Sequence, residues 1–340
     1  MKKWLVFFFS FLLIISIILV IINFVTTKNS ETSIGELKKE EKEEKDNIEY
    51  KANQTIRVKI TKTGEIIAMD INDYLRGVVA SEMPAAYNIE ALKAQAVVAR
   101  TYTYRKMLEH ADGENADICD NFRHCQAFYI KPKLMEIWKG RGFDDKTRID
   151  YWDKINEAVV STQNEVITYN GKYIKAFFHA SSPIKTEDIS QIWGHEELSY
   201  LKSVENTEYD DYTNRYSIVK VSYEDLEKKI QENINEKFDI NQINMDEIKI
   251  NSYTTSLRIK DIIIGKQLIS AEKLRTLFGL KSTLFTMNVV EDGVIFNVIG
   301  YGHGVGLSQV GSNYLADKGN NYKDIIKHYY TGIEIIKIAN

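Results

Sequence analysis

Asp73-Tyr74-Leu75-Arg76-Gly77-Val78-Val79-Ala80-Ser81-Glu82-Met83-Pro84 is the stretch whose reading decides the fold. Leu75, Val78 and Val79 recur at helical spacing, so a short helix is expected to begin at Asn72 or Asp73, either of which can cap it. Pro84 disfavours the α conformation at Met83 and stops that helix close to Glu82. A carboxylate is thereby placed at the negative end of a helix dipole, among Val79, Ala80 and Met83. Both the dipole and the apolar flanks penalise its charged form. A carboxylic acid that keeps its proton near neutral pH suits general-acid catalysis, which makes Glu82 the candidate catalytic residue. The plain alternative is a solvated Glu in a turn, and the apolar flanks argue against it.

Beyond Pro84, Asn88 can cap a long helix through Ala91, Leu92, Ala94, Gln95, Ala96, Val97, Val98, Ala99, Arg100, Thr101 and Tyr102. Its alanines leave little side chain between backbones, so it reads as a core helix behind the Glu82 turn. Upstream, Ile56-Val58-Ile60 and Ile66-Ile67-Met69 flank Lys62-Thr63-Gly64 as a β-hairpin. Lys2 and Lys3 precede an almost unbroken apolar run to Val25, with no small-residue exit site, which reads as a single-pass anchor over residues 1–27 with everything after it outside. Residues 28–52 are a charged tether, and 53–340 the folded part, with about 200–280 a possible subdomain.

The 340-residue chain carries a net charge of −4 and shows no Lys/Arg-rich face, which gives no reason to expect nucleic acid. Its two cysteines cannot make a disulfide framework. They stand in Cys119-Asp120-Asn121-Phe122-Arg123-His124-Cys125, with His110 upstream, and make a Cys₂His₂ set for a structural zinc ion. Asp117 or Asp120 could replace His110, and a short disulfide or two free thiols are the other readings.

Glu165 to Tyr169 and Lys172 to Phe178, joined by Asn170-Gly171, form the strongest hairpin signal in the chain. The second strand runs into His179-Ala180-Ser181-Ser182-Pro183-Ile184-Lys185-Thr186-Glu187 and on to Trp193, the pattern of a site loop, or of an ordinary surface loop with a packing Trp. Trp152 to Thr162 reads as a helix, Ile218-Val219-Val221 as a strand, and Tyr223 to Ile230 as a helix after the Ser222 cap. Leu257-Ile259 and Ile262-Ile264 suggest strands, and Ala271 to Phe278 a helix capped by Ser270 and closed by Gly279. After the strand Val294–Ile299, Gly300-Tyr301-Gly302-His303-Gly304-Val305-Gly306 has glycine at every second position, which bares one face of an extended segment to a ligand or another backbone. His303 lies at its centre, and Ser308 can cap a helix to Ala316.

Residues 73–84, the run Ala91-Leu92-Lys93-Ala94-Gln95-Ala96-Val97-Val98-Ala99-Arg100-Thr101-Tyr102, and Gly302-His303-Gly304-Val305-Gly306-Leu307-Ser308-Gln309 together resemble the stage II sporulation protein D family, which includes amidase enhancers of bacterial cell walls. Leu307 stands where the family has Met, and Pro183-Ile184 replace its glycines ahead of Thr186-Glu187. The resemblance implies a peptidoglycan lytic transglycosylase of forespore engulfment, held in the mother-cell membrane facing the forespore. The expected substrate is peptide-stripped glycan strands. The expected partners are an amidase/endopeptidase and a multi-spanning membrane protein. Sugar contacts are expected from Ser181, Ser182, Lys185, Thr186, Glu187, His303 and Gln309. A hydrolase needs two carboxylates, whereas a lytic enzyme can work with Glu82 alone, because the muramyl C6 hydroxyl is its nucleophile. The rivals are a non-catalytic wall-binding module that activates an amidase, and a zinc hydrolase built on the Cys/His cluster. The expected fold is α+β with mixed, mostly antiparallel strands, an Ala-rich core helix and a substrate cleft, behind the N-terminal membrane helix.

Overall fold

The computed structural model describes residues 55–109, 115–194, 198–209 and 212–339. The expected membrane segment 1–27, the tether 28–52 and His110 lie outside these residues. Among the described residues no helix is long and apolar enough to cross a membrane.

Strands β1 (Thr55–Lys59) and β2 (Ile66–Asp70) form the expected hairpin, with Ile56 opposite Met69. Helix α1 (Ile71–Glu82) follows β2 without a loop. Its cap is Asp70, not Asn72 or Asp73: the Asp70 backbone is still extended, and its carboxylate accepts the amides of both residues, which are already in the first turn. Met83 is extended ahead of Pro84, as the proline requires.

Helix α2 (Ile89–Glu109) begins where Asn88 accepts the Glu90 amide and outlasts the expected end at Tyr102 by two turns. It is buried nearly all round and packs against the helices and strands that surround it. The Arg100 guanidinium inside this core donates to the carbonyls of Val159, Thr162 and Glu165 at 2.7–3.2 Å. Those carbonyls lie at and just past the end of the helix Asp145–Ser161, where a cation meets the negative end of the dipole.

Strand β3 (Ile118–Cys119) adds to β1 in parallel. Helices α3 (Lys131–Gly140) and α4 (Asp145–Ser161) follow. The latter starts seven residues before Trp152 because Asp144 caps it through the Thr147 amide. The Asn170-Gly171 turn joins β4 (Glu165–Tyr169) to β5 (Lys172–Tyr173) as expected, but β5 is only two residues long. Just beyond it Ile174 still donates to the Ile167 carbonyl at 3.2 Å, but the Ile167 amide turns to Thr101 Oγ1 on α2 at 2.9 Å, and the ladder stops. The chain resumes as β6 (Phe178–His179).

After the short α5 (Ile189–Ile192) comes a segment with a core of its own. It contains β7 (Tyr216–Ser222), α6 (Tyr223–Asn233), β8 (Ile248–Tyr253), β9 (Ile259–Ile264), β10 (Gln267–Ser270), α7 (Ala271–Phe278), β11 (Phe285–Val290) and β12 (Gly293–Ile299). Two antiparallel sheets, ordered β11-β12-β7 and β10-β9-β8, enclose Leu226, Ile230, Ile262, Leu274, Phe285 and Phe296. Ser222, Ser270 and Gly279 cap as read from the sequence. Leu257 does not belong to a strand: it takes φ 67° in an exposed turn, and β9 starts at Ile259.

The chain then returns through β13 (Leu307–Ser308), which pairs in parallel with β6, to α8 (Gln309–Asp317), α9 (Tyr322–Tyr329) and β14 (Glu334–Lys337), the outer partner of β4. Among the described strands only β1–β3 and β6–β13 pair in parallel, so the fold is α+β and mostly antiparallel.

Candidate active site

Glu82 ends α1 on the wall of a cleft of about 780 Å³. The opposite wall is made by Phe177 to Ala180, Tyr301 to His303 and Gln309. One Glu82 oxygen accepts the Ala127 amide at 2.6 Å, and the other faces Gln309 Nε2 at 3.5 Å. Ala127 reaches Glu82 because Gly77 lets residues 126–129 lie flat on α1; a Cβ there would stand 2.6 Å from both the Phe128 ring and the Tyr129 carbonyl. Gln126 pins the same segment by donating to Tyr74 and Thr103 hydroxyls at 3.1 and 2.9 Å. Burial raises the Glu82 pKa above its ordinary value, and the two donors pull it back only in part. Among the described residues no other carboxylate lines the cleft.

The glycine run departs from its expected form. Gly300, Gly302, Gly304 and Gly306 all have positive φ, so the segment bends repeatedly and, instead of a continuous extended strand, makes only isolated bridges at Tyr301 and Val305. Its bare faces lie against the protein. A Cβ on Gly306 would stand 2.0 Å from the Phe177 carbonyl, and one on Gly304 would strike the Arg258 guanidinium at 2.7 Å. His303 does line the cleft, with its ring 5.2 Å from that of Trp193 and 5.7 Å from that of His179. Its Nδ1 accepts the Val305 amide at 3.1 Å, which leaves the proton on Nε2. Burial, then the charges of Arg275 and Arg258, push its pKa down to about 3, so the ring is neutral near pH 7. His179 is likewise held well below its ordinary value, again mainly by burial.

The Ser181–Glu187 loop is placed otherwise than the sequence suggests. Ser181, Ser182, Thr186 and Glu187 are fully buried and do not line the cleft. Ser181 and Ser308 hydroxyls, the Ser182 amide and Asn206 Nδ2 all donate to Glu208. Thr254 and Ser256 hydroxyls each donate to Glu187 at 2.6 Å, and Arg258 donates to Ser182 Oγ at 2.7 Å. Thr186 Oγ1 accepts the Val204 amide at 2.9 Å. Lys185 pairs with Glu205 at 2.8 Å. These groups brace the wall that carries β6 and β13; of the expected sugar-contact residues, His303 and Gln309 face the cleft.

Cys119, His124 and Cys125 converge. The two sulfurs are 3.2 Å apart and unbonded, and each is 3.4 Å from His124 Nδ1. Two thiols and an imidazole within 4.8 Å make a donor set suited to zinc. Cys125 borders the cleft two residues before Ala127.

Sequence reasoning missed His179, Arg275 and the Ala127 amide. His179 carried a signal, as a histidine at the end of a strand just ahead of the serines. Arg275 sits on an ordinary amphipathic helix, and a backbone amide has no side chain to mark it.

With this geometry in view, comparison with known proteins is informative. A family model described as "Stage II sporulation protein" matches residues 59–169. Stage II sporulation protein D of Bacillus subtilis (strain 168) is 31% identical over 283 residues, spanning 83% of this chain and 78% of that protein. The chain belongs to the stage II sporulation protein D family. The Bacillus amyloliquefaciens protein of that name is 30% identical over 278 residues, 81% of this chain and 76% of its own. The amidase enhancer of B. subtilis is 25% identical over 304 residues, which cover 76% of this chain and 39% of that protein. Residues 59–169 hold α1, Glu82, Ala127 and the thiol cluster, so the family model falls on one wall of the cleft.

Proposed function

We propose that the protein is a lytic transglycosylase that cleaves the MurNAc–GlcNAc bond of peptide-stripped peptidoglycan to 1,6-anhydro-muramyl ends during sporulation. The observation that carries this reading is that Glu82 is the one carboxylate lining the cleft among the described residues, with its proton affinity raised by burial. Hydrolysis at an inverting or retaining centre takes two flanking carboxylates. Here one group acts twice. Glu82 protonates the glycosidic oxygen and then accepts the proton of the muramyl C6 hydroxyl as that oxygen closes onto C1, so no water is consumed. Ala127 and Gln309 hold the carboxyl on either side. Both histidines are neutral and too weakly basic to take that second proton near pH 7.

Cys119, His124 and Cys125, with His110 as the fourth ligand, would hold a structural zinc ion. A closed four-ligand site supplies stability and no chemistry. The cell-biological setting belongs to the same proposal: an N-terminal anchor in the mother-cell membrane, the cleft outside it, and an amidase/endopeptidase and a multi-spanning membrane protein as partners. An amidase enhancer among the relatives favours a second reading, in which the cleft binds glycan and stimulates a separate amidase.

Product analysis separates the readings. Purified protein incubated with peptide-free glycan strands should release fragments ending in 1,6-anhydro-muramic acid, lighter by one water than reducing ends. Reducing ends would make it a hydrolase. Intact strands, with an added amidase stimulated, would establish the second reading.

A further inference from the structure

Among the described residues, two buried polar atoms on residues that line the cleft have no hydrogen-bond partner. The first is His179 Nε2. The other ring nitrogen, Nδ1, lies 3.1 Å from the Val305 carbonyl, which can only accept, so Nδ1 carries the proton and Nε2 presents a lone pair. His179 is 4% exposed. A buried acceptor left without a donor is destabilising, and such atoms are rare enough to call for a missing donor.

The second is Arg275 Nε, an obligate donor on α7 that reaches the same cleft from the other segment of the chain. Its Nη1 is held by Glu272 at 3.2 Å, which fixes the guanidinium without engaging Nε. Arg275 is close enough to His179 and His303 for its charge to weaken both as bases. His303 does not compete as an acceptor, because its Nδ1 is already taken by the Val305 amide.

We propose that His179 and Arg275 form the subsite for the acetamido group of an N-acetylated sugar seated beside Glu82: the acetamido N–H donates to His179 Nε2, and its carbonyl accepts from Arg275 Nε. The assignment rests on the glycan-cleaving reading and adds to it which part of the sugar is recognised. A hydroxyl could satisfy either atom alone, but an acetamido group offers one fixed donor and one fixed acceptor on a single planar unit. Both residues line the cleft. The His303 ring, 5.7 Å from that of His179 and partly buried, lines the cleft beside them. No proton moves in this step. His179 is a positioning residue, and Glu82 remains the proton carrier.

The test is ¹⁵N NMR of full-length Glu82→Gln protein, labelled at histidine and alanine and titrated with a β-1,4 N-acetylglucosamine trimer. The glucose trimer, with hydroxyls in place of acetamido groups, is the control. Binding beside residue 82 is reported by the Ala127 amide, and the subsite by His179 Nε2, whose resonance moves upfield when it accepts a hydrogen bond. The expected result is that the N-acetylated trimer moves both signals and the glucose trimer leaves Nε2 in place. Arg275→Met, if its melting is unchanged, should weaken the N-acetylated trimer about tenfold while sparing the glucose trimer. Movement of Ala127 without movement of Nε2 would overturn the subsite and leave the glycan reading intact. So would an Nε2 signal already in the hydrogen-bonded range, which would mean that a resident water fills the position. An equal shift with both trimers would overturn the acetamido assignment. If neither trimer moves Ala127, the glycan reading itself fails, and the subsite with it.

Discussion

Glu82 and Glu208 are the same functional group in two settings, one partly buried on the cleft and the other buried behind its opposite wall, and their surroundings differ in the number of donors. Glu208 accepts from two serine hydroxyls, one amide and one carboxamide, each with normal geometry or shorter. Glu82 accepts one amide at 2.6 Å and has a second donor only at 3.5 Å. Burial with few donors favours the acid at Glu82. A carboxylate ringed by donors is a brace, whereas one left short of them is a reagent.

The sharpest way to break this contrast is to neutralise each group in turn. Glu82→Gln keeps shape and one hydrogen bond but cannot transfer a proton, so release of anhydro-muramyl ends should fall by about 10²–10⁴ with no loss of melting temperature. A fully active Gln variant would end the reagent reading. Glu208→Gln should do the opposite: it turns an NH₂ toward donors and lowers stability by about 2–4 kcal/mol in chemical denaturation, with activity per folded molecule little changed. If that variant unfolds no more easily than the parent, Glu208 is not a brace.

A smaller effect concerns the donor that Glu82 does have. Cys119→Ser, Cys125→Ser or chelation should remove the metal and cost about 1–3 kcal/mol of stability, with activity falling alongside, because the Ala127 segment follows directly from Cys125. Metal analysis and melting on the same samples check it, and metal-free protein with normal melting would refute the site.

The smallest expected effect is a pH dependence. A carboxyl whose folded pKa lies above its unfolded value stabilises the fold fully below the unfolded pKa, and that contribution is lost as pH rises through the folded pKa. The melting temperature of the parent should therefore fall relative to Glu82→Gln as pH rises from about 4.5, and turnover should decline over the same limb. A constant difference across pH would mean that Glu82 titrates normally.

Much of this was legible because local chemistry dictated it. Pro84 ended α1 at Glu82, and Ser270 and Gly279 bounded α7, each through contacts within a few residues. The misreadings of the Ser181–Glu187 loop and of the strand after Gly171 share one cause, which is that the deciding partner is remote in sequence. Ser182 and Glu187 look like site residues at a strand end until Arg258, Thr254 and Ser256 arrive to bury them. The break after β5 depends on Thr101. The glycine run was conspicuous for a steric reason: it has to thread past Phe177 and Arg258.

The parallel pairing of β6 with β13 also bears on the order in which the molecule folds. His179 and Val305, joined by a hydrogen bond, are 126 positions apart. Yet Tyr216 and Ile299, where the intervening segment enters and leaves, are themselves paired in the β7–β12 ladder. If that segment folds first, the loop still to be closed shrinks to roughly 40 residues, which lowers the closure cost by about 1 kcal/mol. The segment would then serve as a clasp in time, drawing the two halves of the cleft wall together. A core truncation such as Leu274→Ala would delay the appearance of the cleft from a position buried in the segment's own core.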